Sequence, residues 1–226
     1  SSTPARTEPS GVNADAVRST LPEKPSHLCD GVVTEETGAP RPFEGAEKVR
    51  FLKLRPSEPV QRGHFLSVIV PRPASASPSG VVTAVRGPNT LGARIVHGAV
   101  EDLALFAQDP PEMDASGVSA VGRSCLVRRV NGRITAVTLH SGQRLSADGG
   151  LMFETNSSGH AALAIADAEV TARLDIYDGT KLALFAPRRP VRVLADGQEQ
   201  AFDHDPASQC VRFPCRRARE VRVLFS

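Results

Sequence analysis

The chain has 226 residues, with 27 basic and 25 acidic side chains and a net charge of +2. Aromatic residues make up only 4% of it, with no tryptophan and a single tyrosine, so aliphatic residues and nine phenylalanines must fill the core. Nucleic-acid-binding surfaces concentrate positive charge and interleave base-stacking aromatics, and neither feature is seen, so we expect no nucleic-acid partner. No apolar stretch approaches the length that spans a bilayer, which predicts no membrane partner.

The first segment, residues 1–45, is rich in Pro, Ser, Thr, Glu and Gly and has few apolar anchors. This composition predicts an extended arm or linker. A short helix from Asn13 to Leu21 is compatible with capping by Asn13 and termination at Pro22. The Ser1-Ser2-Thr3-Pro4 start lacks the regions of a signal peptide, so we expect any such peptide to be already absent.

From residue 46 to 226 the sequence predicts a single β domain made of many short strands. Val49–Arg55 alternates apolar and basic residues, whereas Phe65–Val70 is an almost continuous apolar run that ends at Pro71 and leads into a Pro- and Ser-rich loop. The next predicted strands are Val81–Arg86, Ala93–His97, Leu103–Ala107, Val118–Val121, Cys125–Val130 and Arg133–Leu139.

Asn131-Gly132 is the strongest hairpin signal of the chain, because both turn positions of a tight two-residue hairpin favour positive φ. The dipeptide separates the predicted strands Cys125–Val130 and Arg133–Leu139.

The C-terminal third repeats this pattern, with strands divided by Asp178-Gly179, Asp196-Gly197 and Asp205-Pro206, and with Ser157–His160 predicted as a loop. Such regular spacing is typical of antiparallel sheets packed as a sandwich. The predicted fold is therefore an all-β antiparallel sandwich behind an extended N-terminal arm. The predicted strands are Leu151–Thr155, Ala161–Ala166, Val170–Ile176, Leu182–Ala186, Val191–Leu194, Gln198–Phe202, Cys210–Phe213 and Glu220–Phe225.

Four cysteines, Cys29, Cys125, Cys210 and Cys215, show no metal-binding spacing. The odd separation of Cys210 and Cys215 puts them on opposite faces of a regular strand, which favours free thiols over a bridge.

Two groups of residues are candidates for metal or acid–base chemistry. Asp203-His204-Asp205 is a dense cluster of metal-ligating types, but consecutive residues of an extended chain do not converge on one ion, so a polar turn is the favoured interpretation. His97 could meet Glu101 and Asp102 across a turn at Gly98, or all three could be surface polar residues. No cofactor is predicted, and a structural divalent metal has no further support.

Arg188 and Arg189 are candidates for binding a carboxylate or sulfate through bidentate hydrogen bonds, with an exposed strand entry as the commoner alternative. Neither a Gly-x-Ser-x-Gly motif nor a phosphate-binding loop is found, so no catalytic residue is assigned.

Several segments in this order resemble the C-terminal β domain of heparinase II/III-like polysaccharide lyases, over about Val49 to Ser226. They are Gly63–Pro71, Val100–Phe106, Arg133–Leu139, Leu145–Asp148, Lys181–Pro187 and Pro190–Gly197. In that family an α/α toroid carries much of the catalysis of β-elimination on uronate-containing glycans, and the β domain packs beneath it. This chain has no toroid and no match to the family's early His-rich segment, and its one tyrosine, Tyr177, falls in a predicted turn.

The resemblance therefore implies a β domain or cleaved fragment that supports a catalytic domain outside this chain. The implied partners are that upstream domain or chain, an acidic polysaccharide and a second subunit in a homo-oligomer, in an extracellular or periplasmic location. The alternatives are a stand-alone carbohydrate-binding sandwich, which the missing tryptophan counts against, and a protein-interaction module.

Overall fold

A computed structural model describes residues 31–38, 49–56, 80–176, 180–215 and 217–226. These residues contain strands, turns and bends but no helix, and every strand pair among them is antiparallel. The all-β prediction is confirmed. No helix within the described ranges is long and apolar enough to cross a membrane.

The chain divides into two compact units, Ser1–Phe65 and Leu66–Ser226. In the first unit, β1 (Gly31–Gly38) pairs with β2 (Val49–Pro56). The predicted strand at Val49 is thus confirmed, and β1 lies within the segment predicted as an arm. The helix predicted from Asn13 and the strand predicted from Phe65 lie outside the described residues.

The described residues of the second unit form fifteen strands. Their bounds are β3 (Gly80–Gly87), β4 (Thr90–His97), β5 (Val100–Ala107), β6 (Glu112–Ala115), β7 (Val118–Val121), β8 (Ser124–Val130), β9 (Arg133–Ala147), β10 (Gly150–Ile165), β11 (Glu169–Ile176), β12 (Thr180–Phe185), β13 (Arg192–Ala195), β14 (Gln198–Glu199), β15 (Asp203–Asp205), β16 (Cys210–Cys215) and β17 (Glu220–Leu224).

Two long strands, β9 with 15 residues and β10 with 16, run through both layers of the sandwich. The start of β9 and the end of β10 belong to a first sheet in the order β14-β13-β17-β11-β10-β9-β8-β5-β4-β3. Their other halves belong to a second sheet, in which the order is β6-β7-β9-β10-β12-β16-β15. One hydrophobic core contains side chains from both sheets, including Leu103 and Val127 of the first and Leu145 and Leu184 of the second.

The bend that transfers β9 and β10 between the sheets needs small residues. Gly122 and Gly142 meet so closely there that a Cβ on Gly122 would lie 2.9 Å from the Gly142 Cα. The neighbouring Ser141 has φ of 48°, and the β9–β10 register shifts between Glu154 and Gly159. Bulges of this kind bend a strand without ending it.

The prediction of a loop at Ser157–His160 is wrong, because these residues lie inside β10. The predicted strands Leu151–Thr155 and Ala161–Ala166 are two halves of that one strand. Strands β6 and β15 were not predicted from the sequence, and β14 ends at Glu199 rather than at Phe202.

The hairpin at Asn131-Gly132 is confirmed. Val130 pairs with Arg133, and the two turn residues have φ of 52° and 77°. The other predicted strands from Val81 onward match observed strands within a few residues, except that β9 runs to Ala147 where Arg133–Leu139 was predicted. Most of the matched strands alternate between a buried and a wetter face.

Candidate functional site

A cleft of about 770 Å³ opens on the outer face of the second sheet. Its lining within the described residues combines charged, amide and apolar side chains. The lining residues are Glu154, Thr155, Asn156, Lys181, Leu182, Ala183, Ala201, Phe202, Asp203, Arg212, Phe213 and Pro214.

The strand register places part of this lining in one row across four strands. Glu154 of β10 is opposite Ala183 of β12, Ala183 is opposite Arg212 of β16, and Arg212 is opposite Asp203 of β15. Directly opposed residues of antiparallel strands project to the same face. The row therefore brings two carboxylates and a guanidinium to one surface, with the small Ala183 between them.

Ala183 also belongs to a second, small hydrophobic cluster, together with Leu151 and Cys210. Their neighbours Leu182 and Val211 point the other way, into the main core. Because Ala183 carries only a methyl group, it leaves a depression between the longer side chains of the row.

Arg212 is held by a neighbouring turn. Its Nη1 donates to Asp205 Oδ2 at 3.2 Å, and Asp205 also accepts hydrogen bonds from the Ser208 hydroxyl and from the backbone amides of Ala207 and Ser208. The Ser208 hydroxyl and the Arg212 guanidinium are the main reasons that the pKa of Asp205 falls to about 2. Asp205 is therefore ionised at neutral pH and balances the charge of Arg212.

The other charged lining residues differ in their pairing. Glu154 faces Arg144 across the β9–β10 pair at 3.9 Å between Oε1 and Nε. Lys181 and Asp203 are both exposed, and within the described ranges neither makes an ion pair or a side-chain hydrogen bond. Within the described residues, these two are the charged lining side chains that form no ion pair.

The side chains of the predicted cluster Asp203-His204-Asp205 point to two opposite faces of the sheet. The prediction of a polar turn here is wrong, because the three residues form strand β15, and His204 therefore points away from the face that carries both aspartates. His204 Nε2 lies 3.3 Å from the carbonyl oxygen of Ala186, which can only accept, so Nε2 is the donor. Among the described residues, no three His, Cys, Asp or Glu side chains form a group that could hold a metal ion.

The predicted group around His97 lies at the β4–β5 turn, where Gly98 has φ of 58°. Arginines bind both of its carboxylates: Arg94 and Arg129 contact Glu101, and Arg128 binds Asp102 through two hydrogen bonds of 2.7 and 2.8 Å. The Arg94 guanidinium lowers the pKa of Glu101, so this carboxylate is ionised. Its contacts are ion pairs within the fold.

The predicted anion-binding pair Arg188-Arg189 lies in the exposed connection between β12 and β13. Arg188 donates to the carbonyl oxygen of Asp167 at 2.8 Å and stacks over the ring of Phe225, with 5.4 Å from its Cζ to the ring centroid. Neither arginine lines the cleft.

Two features of the structure were not predicted from the sequence. The rings of His140 and His160 lie 4.2 Å apart by their centroids, on neighbouring strands at the bend. The cleft was missed except for Asp203, because its lining comes from separate segments that only the register brings together.

No protein-family model matches the chain, and no curated protein sequence matches it significantly. The resemblance to heparinase II/III-like lyases stays a prediction.

Proposed function

We propose that this chain is the β-sandwich domain of a polysaccharide lyase that acts on uronate-containing acidic glycans. In this proposal the domain supports a catalytic α/α toroid outside the chain and holds part of the glycan in the cleft on its second sheet. The observation that carries the proposal is the cleft itself, whose rim presents Lys181 to anionic groups.

The mixed lining suits a sugar chain. Sugars present hydroxyl groups at their edges and C–H groups on their faces, so a site for them needs polar groups around apolar surface. Glu154, Asn156 and Asp203 supply polar groups here, while Phe202 and Pro214 supply apolar surface. The antiparallel sandwich is also the fold that the sequence resemblance implies.

A second candidate is a stand-alone carbohydrate-binding sandwich without enzymatic activity. It is favoured by the fact that residues of a single sheet and its connections provide the whole described lining of the cleft. Such a domain needs no toroid to bind its ligand. The two candidates therefore make different predictions about the larger protein.

Titration calorimetry of the chain against uronate oligosaccharides and a neutral oligosaccharide of matched length tests the proposal. We expect heat with the uronate ligands and none with the neutral one. The chain alone should produce no rise in ultraviolet absorbance on uronate polymers, and it should restore that activity when mixed with its upstream part.

Each outcome separates the candidates. Binding without any restored turnover would favour the stand-alone module, and turnover by the chain alone would contradict the supporting role. Silence across the whole glycan panel would overturn both glycan candidates and leave a protein-interaction domain.

A further inference from the structure

We infer that Lys181 and Asp203 determine which glycan the cleft accepts. Lys181 binds an anionic group of the ligand, and Asp203 accepts hydrogen bonds from a hydroxyl or ammonium group further along it. This inference rests on the proposed function, since it assumes that the cleft binds a glycan.

Charge balance singles out these two side chains. Arg212 is already paired with Asp205, and Glu154 faces Arg144, so both have an internal partner of opposite charge. Within the described part of the chain, Lys181 and Asp203 have none. A ligand that supplies an anion at one position and a donor at the other completes the electrostatics of the site.

The register fixes how far apart these groups are. Lys181 is opposite Pro214, and Asp203 is opposite Arg212, two residues earlier on the same strand. Lys181 and Asp203 are thus separated by two strand spacings and one two-residue step, a diagonal of roughly 12 Å between Cα atoms. That span is comparable to two linked sugar rings, so the recognised unit is a disaccharide rather than a single sugar.

The surface between Lys181 and Asp203 suits a disaccharide that runs from one side chain to the other. Ala183 leaves the centre of the cleft low, and Pro214 and Phe202 provide apolar surface for the faces of the rings. Arg212 lies on the path between them, held in place by Asp205. The charge of Arg212 is therefore already paired, whereas Lys181 and Asp203 form no ion pair within the described residues and offer their charges to the ligand.

The chemistry also limits the ligand class. Lysine is a compact point charge, so it accepts a carboxylate or a sulfate without the planar geometry that arginine imposes. An aspartate accepts hydrogen bonds but cannot donate them when ionised, so it disfavours a second anionic group at that end. The predicted ligand carries one anionic sugar followed by a sugar with free hydroxyl or amino groups.

The test uses titration calorimetry on the full chain and four variants. Lys181→Gln and Asp203→Asn change the proposed residues, while Arg189→Gln and Asp167→Asn are matched controls outside the cleft. The ligands are uronate disaccharides and tetrasaccharides with a free amine, with an acetylated amine, with a reduced carboxyl group, and with a sulfate in place of the carboxylate.

We expect Lys181→Gln to weaken binding of the carboxylate and sulfate ligands by about tenfold, the effect of losing one charge-assisted hydrogen bond. The reduced ligand should bind weakly to the unaltered chain and be insensitive to this variant. Asp203→Asn should weaken the free-amine ligand several-fold more than the acetylated one, and the controls should bind as the unaltered chain does. Because both residues are exposed, their variants should keep the urea midpoint of the unaltered chain.

The possible failures are distinguishable. If glycans bind and neither variant alters the affinity, this inference is overturned and the proposed function stands. An effect of Lys181→Gln alone would overturn the role of Asp203. If no glycan binds, the proposed function fails first and the inference fails with it.

Discussion

The guanidinium of Arg129 binds the carboxylate of Asp148 through two hydrogen bonds, from Nε to Oδ2 at 3.1 Å and from Nη2 to Oδ1 at 2.6 Å. Arg129 lies on β8 of the first sheet, and Asp148 lies in the β9–β10 turn at the end of the second. The pair therefore joins the two layers of the sandwich. Arg129 also contacts Glu101 Oε1 at 3.2 Å and is only 8% exposed.

Replacing Asp148 by alanine should lower the free energy of unfolding by about 2 kcal/mol, since it leaves a buried guanidinium with one carboxylate partner. The value is below that for a fully buried pair because the Asp148 side chain is 49% exposed. Urea denaturation measures it. The control is Asp167→Ala, which breaks a pair with Arg133 whose members are 86% and 78% exposed, and which should cost less than about 0.5 kcal/mol. Equal losses of unfolding free energy for the two variants would contradict a stabilising role of the Arg129–Asp148 pair between the sheets.

Two glycine variants separate backbone strain from steric conflict. Gly132 has φ of 77° and open space around a hypothetical Cβ, so Gly132→Ala should cost about 1 kcal/mol from strain alone. In Gly122→Ala the new Cβ would meet the Gly142 Cα and the Leu139 side chain, each at 2.9 Å. The bend would then have to open, at a cost of about 3 kcal/mol. Urea midpoints of both variants test this order of stability losses. A smaller loss for Gly122→Ala than for Gly132→Ala would show that the strands at the bend can move apart.

Thiol labelling should distinguish the native from the unfolded chain. Cys125, Cys210 and Cys215 are buried and free, and burial raises the pKa of Cys125 to about 12. Because only the thiolate reacts, native Cys125 should stay unmodified by iodoacetamide at pH 8 and react fully in urea. Mass spectrometry of the labelled peptides reads this out. Rapid native labelling of Cys125 would contradict its burial between the two sheets.

The carboxyl group of Asp205 should titrate near pH 2. The hydrogen bond from the Ser208 hydroxyl, followed by that from Arg212, lowers its pKa from 3.8 to about 2. A lowered pKa in the folded state means that these contacts stabilise the fold above the ordinary carboxyl pKa. Their contribution is lost as the pH falls through about 2.

Carbon-13 NMR of the Asp205 carboxyl resonance measures this value directly. Ser208→Ala should raise the pKa toward 3.8, because it removes the first of these hydrogen bonds. An unchanged titration in Ser208→Ala would show that the hydroxyl does not set the pKa.

Local signals in the sequence predicted much of the fold. Asn131-Gly132 predicted its hairpin because the turn requires positive φ at adjacent residues, a property of those residues themselves. The odd separation of Cys210 and Cys215 predicted opposite faces, and the two thiols belong to different hydrophobic clusters. Alternation between apolar and polar residues located most strands for the same local reason.

The long strands could not be predicted in this way. Ser141-Gly142 and Ser157–Gly159 have the composition of turns, but the hydrogen-bonded ladder continues past both segments as bulges. Packing of the second sheet on the first favours the continued strands, and that packing involves residues far away in the sequence. At Ser157–Gly159, local turn chemistry therefore predicted a loop where the tertiary structure has a bend.

The cleft shows the same difference between local sequence signals and long-range pairing. The sequence determined that this chain forms antiparallel strands, most of them with one apolar face, because the period of the side chains is a property of the strand backbone. Only the tertiary structure decided that Glu154, Ala183, Arg212 and Asp203 share a row. Register depends on pairing between distant strands, and a shift of one residue would turn each of these side chains to the opposite face.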